Sequence, residues 1–247
     1  MLASKGACRD CREGFMSKRI AIIQSSYIPW RGYFDIIGSV DEFILFDDVQ
    51  FTRRDWRNRN RIKTPTGTQW LTIPVATKDK YSQRICDTEI ADRSWTRKHW
   101  SALRHSYARA PAFKVFADRI GDLYEKASGE GMLSSVNRLF LQEICSILDI
   151  GTPFGWSPDY PGTGTKTARL IEICEAVGAD SYLSGPSAAA YIEPELFAAH
   201  GIKLDYMDYS GYPPYPQLHG EFDPYVSILD LLFHQGADAR RLMKPVR

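Results

Sequence analysis

The run RIAII at Arg19–Ile23 restricts the possible folds more than any other stretch of the chain. Ile20, Ala21, Ile22 and Ile23 are apolar without alternation. A strand sends successive side chains to opposite faces of its sheet, so such a run is stable only if both faces are covered. Pro29 and Gly32 then break the chain, Phe34, Ile37 and Val40 recur at three-residue spacing as one face of a short helix, and Phe43–Phe46 forms a second apolar run. Strand, loop, helix and strand in about thirty residues make a βαβ unit, with parallel pairing and a right-handed crossover. An open parallel sheet holds its ligands beyond the carboxyl ends of its strands, which predicts residues 24–33 and 47–50 side by side at one mouth.

The middle of the chain reads differently. Residues 65–68 are expected to turn a hairpin, with 69–75 as the return strand pairing with the arm around 57–63. Ser94 is expected to cap a helix carrying Trp95, Trp100, Leu103 and Tyr107 until Pro111 stops it, and amphipathic helices follow at 113–126 and 133–148. GTPFGWSPDYPGTGTK reads as a lid or binding loop. The last third returns to α/β: a helix at 165–177 closed by Gly178, a strand in DSYLSG, a helix near 188–199, a strand in KLDYMDY, the aromatic loop YSGYPPYPQLHGEF and the apolar helix VSILDLLFHQG. The expected fold is α/β, a Rossmann-like, mostly parallel sheet with an inserted hairpin (50–76) and helical subdomain (about 94–150). One domain is expected over 16–247, preceded by a polar, unpatterned and disordered leader at 1–15.

Composition narrows the function. The 247 residues carry a formal charge of only +1, so an anionic partner must be met by a local patch rather than by the whole surface. The apolar runs fall short of the roughly 18–20 residues that span a bilayer, and no signal-peptide core follows Met1, which predicts a cytoplasmic protein. Five cysteines without framework spacing predict reduced thiols, and the lone Cys8/Cys11 pair lacks the second pair of ligands for a metal site.

The local patch is FTRRDWRNRNRIK, with six basic side chains in thirteen residues directly after Asp47 and Asp48. Arginine forks grip phosphate oxygens and an indole stacks on a base, so Arg53, Arg59, Arg61 and Trp56 are candidates for a phosphorylated ligand; the alternative is a solvated strand face. Asp47 and Asp48 end a strand and point to opposite faces. One is a candidate proton acceptor or metal ligand, and the other caps a turn or pairs with an arginine of the arm; equally, both simply terminate the strand. Gln24, Gln50 and Asn60 supply amides to orient a ligand. Lys166 at the start of a helix is an anion candidate, with Thr165 as a plain cap the other reading. His219, in the aromatic loop, is the one histidine placed as a candidate acid or base.

Gln24, Pro29, GYF at Gly32–Phe34, DDVQ at Asp47–Gln50, Trp56, RNRI at Arg59–Ile62, YLSG and Tyr191 together resemble the WbqC-like family over about residues 19–233. That resemblance implies a role beside O-antigen gene clusters, in attaching an amino-acid or acyl group to an amino sugar. Tyr27, Tyr33, Arg169, Ser184 and Tyr191 complete the substrate-binding candidates. The architecture is also similar to nucleotidylyl transferases and pantoate-activating ligases, whose first loop carries paired histidines. Here the first histidine is His99, so that phosphoryl chemistry is not expected. The expectation is an enzyme acting on a nucleotide-linked amino sugar, with a carrier protein or an ATP-activated acid as donor. It assigns no cofactor, metal or membrane span, and nucleic acid is not the expected partner. The alternative is a non-catalytic nucleotide or nucleic-acid binding protein.

Overall fold

The structure is a computed structural model and describes residues 17–246. The expected leader, with Cys8 and Cys11, lies outside the described residues. Strands β1 (Arg19–Ile23), β2 (Glu42–Leu45), β5 (Phe154–Trp156), β6 (Ser181–Ser184) and β7 (Lys203–Tyr206) form one sheet in the order β5-β2-β1-β6-β7. Every neighbouring pair is parallel. Strands β3 (Arg59–Thr64) and β4 (Gly67–Thr72) form a separate antiparallel hairpin. The helices are α1 (Arg31–Gly38), α2 (Trp95–Tyr107), α3 (Phe113–Ala127), α4 (Leu133–Ile147), α5 (Lys166–Ala176), α6 (Pro194–Ala199) and α7 (Ile228–Gln235).

The two-sided burial expected of β1 is realised by two separate apolar clusters. Ala21, Phe43 and Leu45 pack with Phe34, Leu103, Tyr124, Phe140 and Leu231, so α1 to α4 and α7 cover that face and share its core. Ile20, Ile22 and Ile44 point the other way, against Leu170 and Ile173 of α5 and Phe197 of α6. Tyr182 of β6 stacks on Phe197 with the rings 5.1 Å apart and 3° from parallel. The alternation of the pleat therefore explains why β1 cannot carry a polar face.

Three local features differ from the sequence reading. The hairpin turns more tightly than expected, on Pro65 and Thr66, because Gly67 adopts φ +119° and already pairs with Thr64. Part of the expected loop after residue 150 is β5, whose three residues find their hydrogen bonds along β2, Phe43 opposite Phe154. Ser94 precedes α2 without a capping bond from its side chain. Gly178, in contrast, takes φ +67° just past α5, as expected of the residue that closes a helix.

The segment between β1 and α1 is buried without regular structure, and Ile28 sits there at φ +37°, a conformation costly for a β-branched residue. Asn60 of the hairpin holds it, its amide donating to the carbonyls of Tyr27 (3.1 Å) and Ile28 (3.0 Å). Asn60→Ala strips both buried carbonyls of their donor and is expected to lower the unfolding free energy by about 1–3 kcal/mol. A shifted urea midpoint at unchanged m-value checks this.

Candidate functional site

Strand order decides where the site lies. The chain leaves β5 at one edge and returns on the far side of β1, so connections diverge between β1 and β6, and the crevice of an open α/β sheet forms at such a switch. A cleft of 780 Å³ occupies that position, walled by the segment after β1, the segment after β6 and the hairpin arm. Residues 24–33 and 47–50 do lie side by side, as the sequence predicts, with the Ser25 amide on Asp47; but after β2 only Phe46 reaches the cleft, and the segment after β6 forms its other wall.

Side chains from distant parts of the chain satisfy the buried segment after β1. The Ser25 amide donates to Asp47 Oδ1 at 2.9 Å, and Ser134 donates its hydroxyl to Asp47 Oδ2. Arg57 Nη1 donates to the Gln24 and Ser25 carbonyls at 2.9 and 3.3 Å, and the Tyr33 hydroxyl donates to the Gln24 carbonyl at 2.8 Å. Asn137 donates to Ser25 Oγ (3.0 Å) and to the Arg57 carbonyl (2.9 Å), which ties α4, the arm and β1 together. Ser26 and Gln24 are left facing the cleft with no hydrogen-bond partner for their side chains among the described residues.

Among the described residues, Arg57 and Arg61 are the only charged side chains on the wall. Their ion pairs are long: Arg57 Nε stands 3.7 Å from Asp55 and Arg61 Nη2 stands 3.6 Å from Asp223. The Nε of each is buried without a hydrogen-bond partner. Around them stand Trp30, Tyr33, Trp56, Tyr182, Tyr191, Tyr209 and Tyr225. Trp30 meets Tyr209 edge-on at 5.0 Å and Tyr225 at 5.8 Å, so these three rings form one contiguous aromatic cluster on the wall.

Of the residues singled out from sequence, Gln24, Tyr33, Trp56, Asn60, Arg61, Ser184 and Tyr191 line the cleft. The three proposed acids and bases do not. Asp47 is fully buried beneath the segment after β1, where it holds Ser25. Asp48 pairs with Arg169 at 2.9 Å and accepts from Ser157 Oγ at 2.6 Å, so its arginine comes from α5 rather than from the arm. His219 is buried with Nε2 donating to the Ser106 carbonyl at 2.9 Å.

The remaining binding candidates also lie off the wall. Arg169 is committed to Asp48 and to the carbonyls of Ser157 and Tyr160. Tyr27 is buried against His99 and Tyr124. Gln50 bonds the Tyr81 carbonyl, Arg53 lies over the Tyr81 ring, and Arg59 lies over Trp70 on the outer arm. Lys166 starts α5 at φ +51°, but the amides beside it already have an anion: Glu172 Oε1 accepts from Gly164 at 2.8 Å and from Thr163 at 3.3 Å.

Sequence reading missed Arg57, Trp30, Ser26, Tyr209 and Tyr225. Arg57 stood within the basic run and Trp30 within the first loop, so their positions were visible but their orientation was not. Tyr209 opens the aromatic loop, and Tyr225 lies just beyond that loop, before α7.

The chemistry open to this wall is correspondingly narrow. Among the described residues no Asp, Glu, His or Lys side chain lines the cleft. Burial raises the phenols of Tyr33, Tyr182 and Tyr209, which therefore stay neutral and serve as hydrogen-bond donors. Burial also pushes Cys86 up to about 11 and Cys145 and Cys174 to about 12, so these thiols are not activated nucleophiles. Among the described residues no cluster of three or more His, Cys, Asp or Glu is placed to hold a metal, and no helix is long and apolar enough to cross a membrane.

The two aspartates give opposite predictions. Burial raises the Asp47 pKa against the lowering effect of its Ser134 and Ser25 bonds. A carboxyl whose folded pKa lies above its unfolded value adds stability at low pH that is lost as pH rises through the folded value. Asp47→Asn, which keeps the bond from the Ser25 amide and can donate to Ser134 Oγ in place of accepting from it, is therefore expected to be tolerated at neutral pH and to remove that pH dependence, as read by thermal melts across pH 4–8. Asp48→Asn leaves the buried Arg169 with only the longer ion pair to Glu172 at 3.4 Å and is expected to cost about 1–3 kcal/mol in chemical denaturation.

The model of the WbqC-like protein family matches residues 24–242. A protein of Mycobacterium tuberculosis (strain ATCC 25618 / H37Rv) named "Uncharacterized protein Rv1507c" is 48% identical over 222 residues, covering 90% of this chain and 96% of that one. No solved structure matches the chain significantly. The family match takes in every residue on the cleft wall from Gln24 to Tyr225, and on that extent the chain belongs to the WbqC-like protein family.

Proposed function

We propose that this protein acts on a nucleotide-linked amino sugar in cell-surface polysaccharide biosynthesis, transferring an acyl or aminoacyl group to the sugar's amine. The observation that carries the reading is the pairing of Arg57 and Arg61 with an aromatic lining in a cleft that takes no carboxylate from the described residues. Two guanidinium groups suit a diphosphate, which they meet with paired N–H donors, and the rings suit a base and a sugar. A carboxylate on the wall would repel such a ligand. The cleft volume of 780 Å³ falls within the roughly 300–1,000 Å³ usual for small-molecule sites. The Gln24 amide and the Ser26 and Ser184 hydroxyls offer the polar groups that orient a sugar.

The same wall favours a second reading. An amine that forms an amide must lose a proton, and among the described residues no side chain on the wall can take it near neutral pH. Either the donor's leaving group accepts that proton, or the protein binds its nucleotide sugar without turning it over.

Calorimetric titration with UDP-glucosamine tests the shared part of both readings. Arg61→Ala is expected to weaken binding by about 1.5–3 kcal/mol for each charged hydrogen bond lost, roughly ten- to a hundredfold, with little change in melting temperature because Arg61 lies on the partly exposed arm. Unchanged affinity would overturn the assignment of the cleft. Binding without amide formation, followed by mass spectrometry with acyl donors present, would select the non-catalytic reading.

A further inference from the structure

Only the inner part of the arm faces the cleft. Alternation along β3 puts Arg59, Arg61 and Lys63 on one face, and across the hairpin Arg61 stands directly opposite Trp70. Trp70 is 43% exposed and Trp56 is 40% exposed, with their rings 5.4 Å apart and 39° from parallel. The Arg59 guanidinium lies 4.1 Å over the Trp70 ring and that of Arg61 lies 5.9 Å from it. The Nε of Arg59, like that of Arg61, is buried with no hydrogen-bond partner. Trp56 belongs both to this platform and to the cleft wall, so the two surfaces are continuous.

Two large rings left half in water beside two underused guanidinium groups mark a ligand surface. Rings that stack on a flat π-face and forks that hold phosphate oxygens suit a nucleotide, and the common activated acyl donors carry their nucleotide as adenosine phosphate. A long polyanion is disfavoured by the formal charge of +1.

We infer that the outer arm, through Trp70, Trp56 and Arg59, binds the adenosine phosphate portion of an activated acyl donor, placing its acyl end in the cleft. This rests on the reading of the cleft as an amino-sugar site. Two donors share the chemistry. In a coenzyme A thioester the sugar amine attacks the carbonyl carbon, the C–N bond forms, the C–S bond breaks, and the amine's proton ends on the departing thiolate. In an acyl-adenylate the C–O bond to phosphate breaks instead, AMP departs and the proton passes to solvent. In neither case is a base on the cleft wall required, and none stands there among the described residues.

The test is calorimetric titration of the full chain with coenzyme A, with AMP and with UDP-glucosamine, each alone and in the presence of the others. Coenzyme A is expected to bind beside UDP-glucosamine without competing with it. Trp70→Ala, at an exposed position, is expected to weaken coenzyme A binding about tenfold or more and to leave UDP-glucosamine binding within about twofold. Arg59→Gln should weaken coenzyme A in the same direction while retaining the fold, as judged by its melting temperature. AMP binding as tightly as coenzyme A assigns the adenylate; a clear preference for coenzyme A assigns the thioester.

The inference is overturned if neither nucleotide binds, if Trp70→Ala binds them as the wild type does, or if coenzyme A displaces UDP-glucosamine from a single site. It is also overturned if oligothymidylate binds more tightly with each added length and with a steep salt dependence, which would make the arm a nucleic-acid surface. Coenzyme A binding that depends on Trp70, with no binding of UDP-glucosamine, would leave the donor platform standing and remove the reading of the cleft.

Discussion

The structure depends on a short irregular segment that is buried where a loop would ordinarily be wet. Between β1 and α1 the backbone of residues 24–29 runs under the arm, and its amides and carbonyls have no sheet or helix to join. A buried peptide group without a partner costs as much as a lost hydrogen bond, so each must be met by a side chain or a distant backbone group. Asp47 meets the Ser25 amide, Arg57 and Tyr33 the Gln24 carbonyl, Asn60 those of Tyr27 and Ile28, and the Trp56 carbonyl accepts from the Tyr27 amide at 3.1 Å. The Ile228 amide of α7 closes the set on the Pro29 carbonyl at 2.9 Å. Sheet, arm, α4 and α7 thus meet at one place, and the cleft is the space left above it.

This arrangement gives several polar residues a different role from the one their chemistry suggests in isolation. Asp47 is an acceptor for a backbone amide rather than a base facing substrate, and Asn60 reaches the wall while its amide is spent on two carbonyls. Positioning of this kind acts through rigidity: Gln24 and Ser26 face the cleft because the carbonyls and amides around them are held. The same interactions hold Ile28 at its positive φ, a conformation that persists only where its surroundings over-determine it.

The basic arm, striking in sequence as one patch, is divided by its fold into three environments. Arg57 and Arg61 turn inward to the cleft, Arg59 stacks on Trp70 outside it, and Lys63 is buried, donating to Gln217 at 2.9 Å and to the Glu221 carbonyl. Alternation accounts for which residues of β3 share a face, but the twist and docking of the hairpin decide how far along that face the cleft extends. Charge that looks uniform along the chain therefore serves binding, stacking and structure separately.

Periodicity made much of the fold legible. The unbroken apolar run of β1 required cover on both sides, and the runs at β2, α1 to α5 and α7 follow spacings that local physics dictates. Part of the cleft was legible too, because Gln24, Tyr33, Trp56, Asn60, Arg61, Ser184 and Tyr191 lie where strand ends and the basic run placed them. Strand order was not legible: nothing in the residues of β6 records that it pairs with β1 rather than extending the sheet beyond β5, since parallel neighbours are chosen by long crossovers and by the packing of helices on both faces. That choice moved the mouth from between β1 and β2 to between β1 and β6, and it took Asp48 and Arg169 out of the site by pairing them with each other. By itself the sequence determined which segments are buried strands and where the positive charge lies along the chain, because those properties are local. Only the tertiary structure decided which of those groups share a cleft, because that depends on contacts between residues more than a hundred positions apart, such as Asp48 with Arg169 and Ser25 with Asn137.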